Sequence, residues 1–324
     1  MKYFITGGAG FLGSSMAERL LQDKKNQVTV IDNFSSGKIS HIKAHLNNKR
    51  FKLIEEDILN LKLLKKAIRR HDFVFHFSAN PDITKGLTHT DLDLKLGILA
   101  TYNVLEAMRT QGIRDIAYSS GSGVYGDVGL TETSEDFGPL LPISMYGASK
   151  LGAEGIIGAF CHMFDMRAWI FRFANIVGAR QTHGVCFDFI KKLKNNPDKL
   201  EIAGDGKQNK SYVYVSDAIQ AALFAIEKYK NKTAYLKKEN SGNVFVFNVG
   251  SGDSISVNQI ARLAVKEVGL KNVKFVYLGG KRGWRGDIPV VRLGLKKIFQ
   301  LGWKAKYNSR EAIKLSLREL RKEA

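Results

Sequence analysis

TGGAGFLG, residues 6 to 13, decides how this chain folds. An apolar run, KYFIT, precedes it, and apolar residues at helical spacing follow: Phe11, Leu12, Met16, Leu20 and Leu21. Gly7, Gly10 and Gly13 therefore stand between a strand and a helix. A tight turn, close backbone approach to a pyrophosphate and close helix–strand packing are needed there, and glycine serves all three. The helix start adds N–H groups and the positive end of a dipole for phosphates. Asp32 ends the second strand, QVTVID (27–32). An acid there accepts from ribose hydroxyls and repels a 2′-phosphate, which favours NAD over NADP.

Outward from this turn, strands and helices alternate. FKLIEED (51–57), a helix near 60–70, FVFHFS (73–78), a helix over 92–110, DIAYSS (115–120), a helix over 145–164 and RAWIFRFA (167–174) continue the series. Short apolar strands between helices predict parallel strands buried on both faces. The second half is less regular. It reads as a loop at 178–184, a helix, LEIAGDG (200–206), YVYV (212–215), a helix over 216–229, an exposed loop at 231–242, NVFVFNVG (243–250), a helix over 257–269, VKFVYLGG (273–280) and a helix near 309–322. The expected fold is α/β: a Rossmann-type doubly wound parallel sheet with a smaller mixed α/β C-terminal substrate domain. Residues 1–174 form the NAD-binding domain, with returns near 211–229 and 244–250, and 175–324 mainly the substrate domain.

The net charge is +19, but the lysines are spread in short groups such as 191–194 and 296–297. With no long basic block, RNA-binding signature or zinc-finger spacing, nucleic acid is not an expected partner. An anionic small ligand or a lysine-rich surface explains the charge. No apolar run is long enough to span a bilayer, and the start goes straight into a strand, so a cytoplasmic location with no membrane partner is expected. Cys161 and Cys186 lack metal-ligand spacing and read as buried thiols; no metal is expected.

Tyr146 and Lys150, in YGASK, lie one helical turn apart. A nearby ammonium favours the phenolate of a phenol whose ordinary pKa is near 10. Such a tyrosine can take a proton from an alcohol while a nicotinamide takes hydride from the same carbon.

TGGAGFLG, IDNFSSGK, HFSAN, SSGSGVYG, PISMYGASK, RFANIVG, GDGKQNKSYVYVSD, FNVGSG and RGWRGDIP stand in one order along nearly the whole chain. Together they resemble the extended short-chain dehydrogenase/reductase family, of the NAD-dependent epimerase/dehydratase type. Within it the sequence is most similar to the UDP-glucose (UDP-galactose) 4-epimerases of the archaeal and bacterial group. The resemblance implies tightly held NAD, a UDP-sugar substrate and a homodimer formed by helices near 92–110 and 145–164. It implies that Tyr146 removes the 4-hydroxyl proton, that C4 gives hydride to NAD, and that the 4-keto sugar turns over before the hydride returns. It implies further that Lys150 holds the nicotinamide ribose and lowers the tyrosine pKa. The implied cofactor set is Gly7, Gly10, Phe11, Leu12, Gly13, Asp32, Asn33, Ser36, Gly37, Asp57, Ile58, Phe77, Ser78, Ala79, Tyr146 and Lys150. Asp57, placed to meet the adenine edge, reads nearly as well as a strand-end cap. Asn175, Lys210 and either Arg282 or Arg285 fall at diphosphate-binding positions; lysine lacks the family arginine's bidentate fork.

Two positions depart from the family pattern. The usual catalytic Ser or Thr, four residues before the V-Y-G tyrosine, is Gly121. Ser122 can replace its hydroxyl, or Ser120 after a one-residue shift, or a water or backbone group. Gly97 stands where the family often has asparagine. The acids that dehydratases and decarboxylases of the family carry before V-Y-G are absent at Ser122 and Gly123, which leaves 4-epimerisation. Val291, four residues after Asp287, matches a gate where small side chains admit N-acetylated sugars. Alternatives are an epimerase of another nucleotide sugar, such as UDP-glucuronate, or an NAD-binding regulator impaired at Gly121.

Overall fold

The computed structural model describes residues 1–230 and 243–323. The loop expected at 231–242 lies outside the described residues. In chain order the elements begin with β1 (Lys2–Thr6), α1 (Phe11–Leu21), β2 (Gln27–Asp32), β3 (Phe51–Glu55), α2 (Leu61–Ala67) and β4 (Phe73–His76). A π-helical turn (Leu94–Leu99) then leads into α3 (Ala100–Thr110), β5 (Asp115–Gly121), α4 (Met145–Met163) and β6 (Arg167–Phe173). Next come β7 (Asn175–Val177), α5 (Val185–Asn195), β8 (Lys199–Ile202), β9 (Asn209–Lys210), β10 (Tyr212–Tyr214) and α6 (Val215–Lys230). The chain finishes with β11 (Val244–Val249), β12 (Ile255–Ser256), α7 (Val257–Val268), β13 (Lys274–Tyr277), α8 (Lys296–Gln300) and α9 (Ser309–Glu323).

A seven-stranded sheet runs in the order β11-β6-β5-β4-β1-β2-β3. β1 pairs in parallel with both β2 and β4. The chain builds outward from β1 to β3, then crosses back over β1 to β4. The reversal between β1 and β4 is the topological switch point, where ligands of such sheets bind. Phe4, Ile5, Val28, Val30, Val74, Phe75 and Ile116 are all buried, as strands covered on both faces require.

The chain divides into two compact units. One comprises Met1–Ser120, Ala148–Arg172 and Ala222–Phe247; the other comprises Gly121–Gly147, Phe173–Ala221 and Asn248–Ala324. The core of the first packs Phe4, Ile31 and Val74 against Leu64 of α2, Val104 of α3 and Ile157 of α4. That of the second packs Phe189 and Ile190 of α5, Ile260 of α7 and Ile313 and Leu317 of α9 around Leu200 and Tyr212. In α7, a reciprocal capping box between Ser256 and Gln259 starts the helix, and left-handed Gly269 (φ 82°) ends it.

The helix expected over 92–110 is present, but Leu94–Leu99 within it is wound as a π-turn. Apolar spacing does not distinguish an inserted residue from a continuous helix. At Gly97, inside this turn, a Cβ would stand 2.5 Å from Ser149 Oγ, so the backbone approaches α4 as only glycine allows. The short α8 had no counterpart among the sequence expectations.

Candidate active site

Within the first unit, the glycine turn closes against the end of β4. Gly7 has φ +65°, and a Cβ on it would lie 2.9 Å from Ser78 N. A Cβ on Gly13 would lie 2.1 Å from Gly7 O, so packing of α1 on its own turn requires that glycine. Gly10 differs: a Cβ there would meet one atom within 4 Å, Gly7 O at 3.1 Å. It faces open space at the start of α1, whose N-cap supplies no side-chain hydrogen bond. Uncapped N–H groups of Phe11 and Leu12 beside an open glycine are what a dinucleotide diphosphate needs. NAD therefore fits these residues.

Asp32 is buried at the end of β2; its Oδ2 accepts from Ala9 N (2.8 Å) and its Oδ1 from Phe34 N (2.9 Å). A Cβ on Gly37 would crowd Asp32 Oδ1 at 2.9 Å, so the loop after β2 wraps the carboxylate. Asn33 Nδ2 donates to Asp57 Oδ2 (3.0 Å), which ties together the loops after β2 and β3. Asp57 Oδ1 also accepts from Leu59 N (2.8 Å), the strand-end capping role. Ser36 is exposed, Ile58 is buried, and Phe77, Ser78 and Ala79 are half-buried just past β4. Phe77 N and Ser78 N both donate to Thr6 Oγ1 (3.2 and 3.3 Å).

Lys150 is buried, and its Nζ donates to Ser119 O (2.7 Å) and lies 4.9 Å from the Tyr118 ring centroid. Burial lowers its pKa to about 8, against the opposing pull of Asp93 and Glu154. Ser120 donates its hydroxyl to Glu154, which also forms a buried ion pair with Arg172 (Nη2 to Oε2, 2.7 Å). The Ser120 hydroxyl is thus engaged within the first unit. Sequence reasoning missed the polar layer around this lysine. His76 is fully buried, with Nδ1 2.7 Å from Thr6 Oγ1 and Nε2 3.0 Å from Thr101 Oγ1. Burial first, and then the charge on Lys150, pushes His76 down to about 3. A histidine inside the apolar run FVFH was the available signal.

In the second unit, Gly121 has extended backbone (φ −158°, ψ 166°). A Cβ on it would meet one atom within 4 Å, Phe173 O at 3.9 Å, so neither conformation nor crowding requires glycine there. Ser122 begins the 3₁₀ turn Ser122–Tyr125 and is half-buried. The V-Y-G tyrosine is structural: Tyr125 OH donates to Asn248 Oδ1 (2.7 Å). The same turn meets the start of α4, because a Cβ on Gly147 would stand 2.7 Å from Gly123 O. Ser144 Oγ accepts from Gly147 N (3.1 Å), which caps that start. Tyr146 stands between cap and turn, half-buried, one helical turn before Lys150 on α4.

Asn175 donates both N and Nδ2 to Ser211 O (3.2 and 3.3 Å), next to Lys210. Lys210 is ion-paired with Asp287. Asp287 Oδ2 also accepts from Gly283 N (2.9 Å), and its backbone oxygen accepts from Arg282 Nη1 (2.8 Å). Arg282 pairs further with Asp127 (2.6 Å), whereas Arg285 is exposed and carries no ion pair among the described residues. Val291 is half-buried, with its N–H directed to Asn209 O (3.4 Å).

A doubly wound sheet with an open glycine turn at its switch point and an acid ending β2 defines a dinucleotide-binding α/β enzyme. The chain belongs to the NAD dependent epimerase/dehydratase family, which matches residues 3–250, and NAD is its cofactor. A Methanocaldococcus jannaschii protein assigned provisionally as a UDP-glucose 4-epimerase is 30% identical over 316 residues, 96% of this chain and 95% of that one. A crystal structure of a UDP-galactose 4-epimerase matches with TM-score 0.87 and 34% identity, covering 100% of this chain and 99% of the other. The UDP-glucuronic acid 4-epimerase of Bacillus cereus, crystallised with UDP-glucuronic acid and NAD, matches with TM-score 0.87 and 26% identity over 100% of both chains. Among the described residues no helix is long and apolar enough to cross a membrane.

Proposed function

We propose that this enzyme is a UDP-sugar 4-epimerase that interconverts UDP-glucose and UDP-galactose. The observation that carries the reading is α4: it bears Tyr146 at its capped start and buried Lys150 one turn later. Bound NAD supplies reversible hydride acceptance at C4. Tyr146 takes the proton from the 4-hydroxyl and returns it to the same oxygen when the 4-ketone is reduced on its opposite face. Lys150, charged below about pH 8, holds the tyrosine toward its phenolate form and anchors the nicotinamide ribose. Ser122 is the hydroxyl assigned to the sugar oxygen, since Ser120 is engaged with Glu154.

The first unit binds the cofactor: Gly7, Gly10, Phe11, Leu12 and Gly13 at the diphosphate, Asp32, Asn33, Ser36 and Gly37 at the adenosine ribose, Asp57 and Ile58 at the adenine, and Phe77, Ser78 and Ala79 along the dinucleotide. The second binds the sugar nucleotide. Asn175, Lys210 and Arg285 hold the diphosphate, and Arg282, taken by Asp127, positions Asp287. Val291, smaller than an aromatic gate, admits the N-acetylhexosamine pair. Charge complementarity favours one second reading, UDP-glucuronate, because the basic surplus of +19 suits a carboxylate substrate. Two copies pair through the π-turn with α3 and through α4, where Leu94, Leu99, Tyr102 and Met163 are exposed. The buried thiols Cys161 and Cys186 suit a reducing cytoplasm. Tyr146→Phe tests the chemistry: turnover should fall roughly 10³-fold while NAD remains bound. Undiminished turnover would remove Tyr146 from its role.

A further inference from the structure

We propose that Asp93 is the counter-ion that keeps buried Lys150 protonated, and that Gly97 is the residue that lets it approach. Asp93 is then a positioning residue: it acts on the reaction through the lysine. The proposal deepens the role given above to Lys150, but its test does not pass through turnover.

Asp93 holds an isolated oxygen. The residue is 1% exposed and immediately precedes the π-turn. Its Oδ1 accepts from Asn80 Nδ2 (3.1 Å), and Asn80 is itself pinned to both the N–H and the oxygen of Asp82 (3.1 and 2.9 Å). Asp93 Oδ2 is buried with no hydrogen-bond partner among the described residues. A buried carboxylate in that state is costly unless a positive charge compensates it.

The charges around Lys150 leave Asp93 in that position. On β4, His76 is held neutral by burial. On α4 and β6, Glu154 and Arg172 neutralise one another, and Ser120 takes a further site on Glu154. From β5 come the Ser119 carbonyl and the Tyr118 ring, which are dipoles and not charges. Tyr146, on α4, is negative only as the phenolate and loses that charge when it takes the proton. Asp93 is a fixed negative charge that stays when Tyr146 is protonated; burial raises its pKa and the charge on Lys150 opposes that rise, while Asp93 in turn opposes the lowering of Lys150 by burial. Gly97 supplies the geometry. Its missing side chain seats the 94–99 turn directly on Ser149, the neighbour of Lys150. The glycine that departs from the family pattern is therefore the contact that brings this segment onto α4.

The test is ¹⁵N NMR of the holoenzyme labelled at lysine Nζ, titrated with pH, with the Lys150 signal assigned by its loss in Lys150→Met. In the native protein one lysine should titrate near pH 8, while exposed lysines titrate above about 10. Asp93→Asn should lower that midpoint by about one unit or more, and Asp93→Glu should restore most of it. An unchanged midpoint in Asp93→Asn overturns the proposal. If that variant does not fold, Gly97→Ala decides instead. Its methyl must displace the turn from Ser149, so the midpoint must fall, and a fixed midpoint again overturns the proposal. The alkaline limb of kcat should move by the same amount, whereas structural damage alone would lower kcat without moving the limb. Absence of turnover on every sugar would count against the epimerase reading, while the NMR midpoints would still decide the role of Asp93.

Discussion

At the scale of single residues, Gly121 is the position that most needs explaining. Its backbone is extended and a Cβ has room, so the glycine is a chemical departure that sterics do not impose. Gly121→Ser should leave the melting temperature unchanged and raise turnover about tenfold, the worth of one hydrogen bond to a developing charge. A drop in turnover would mean that Ser122 already fills that space. Lys150 sets the pH dependence. It is charged below about pH 8 and neutral above, so the support proposed for the phenolate is present at neutral pH. Turnover should therefore decline as pH rises through about 8, as a pH–rate profile would reveal. Val291 is the proposed gate on substrate range: Val291→Tyr should abolish activity on N-acetylated sugars and spare UDP-glucose in a side-by-side assay. Loss of both would discard the gate.

Individual elements carry the cofactor claim. The uncapped start of α1 faces open space at Gly10, so Gly10→Ala should weaken NAD binding about tenfold by calorimetry while the fold survives. Within β4, His76 is buried and neutral, with its folded pKa depressed to about 3. The unfolded chain binds a proton there near pH 6.5 and the folded chain does not, so stability is lost as pH falls below about 6.5. From about pH 7 to 5 this group should cost about 2 kcal/mol, and His76→Gln should flatten that part of the curve in thermal melts. Elements of this kind were largely legible in the sequence. β2 spans the same residues that QVTVID predicted, and the glycine turn and the Tyr–Lys helix stand where their spacing put them. The π-turn was not legible, because a one-residue insertion leaves apolar spacing nearly unchanged. Nor were the Glu154–Arg172 pair and the Asp93–Asn80 contact, since each joins residues distant in sequence through burial.

For the whole molecule, the surplus of +19 is spread over the chain and suits an enzyme that gathers anionic nucleotide substrates. Pairing through α3 and α4 predicts a particle of twice 36.1 kDa in light scattering. Tyr102→Glu should shift it toward monomer; a native monomer would end the dimer proposal. Substrate identity was the least legible property, because Arg285 and Val291 sit in an irregular stretch where neither periodicity nor pairing fixes their surroundings. Everything said of the site rests on 4-epimerisation with NAD retained. Proton NMR of the purified protein, with no added NAD, decides that point when it is incubated separately with UDP-glucose, UDP-N-acetylglucosamine and UDP-glucuronate. The 4-epimer of UDP-glucose should appear, with no net change in nicotinamide absorbance. If none of the three sugars changes, even after NAD is supplied, the protein is not the epimerase proposed.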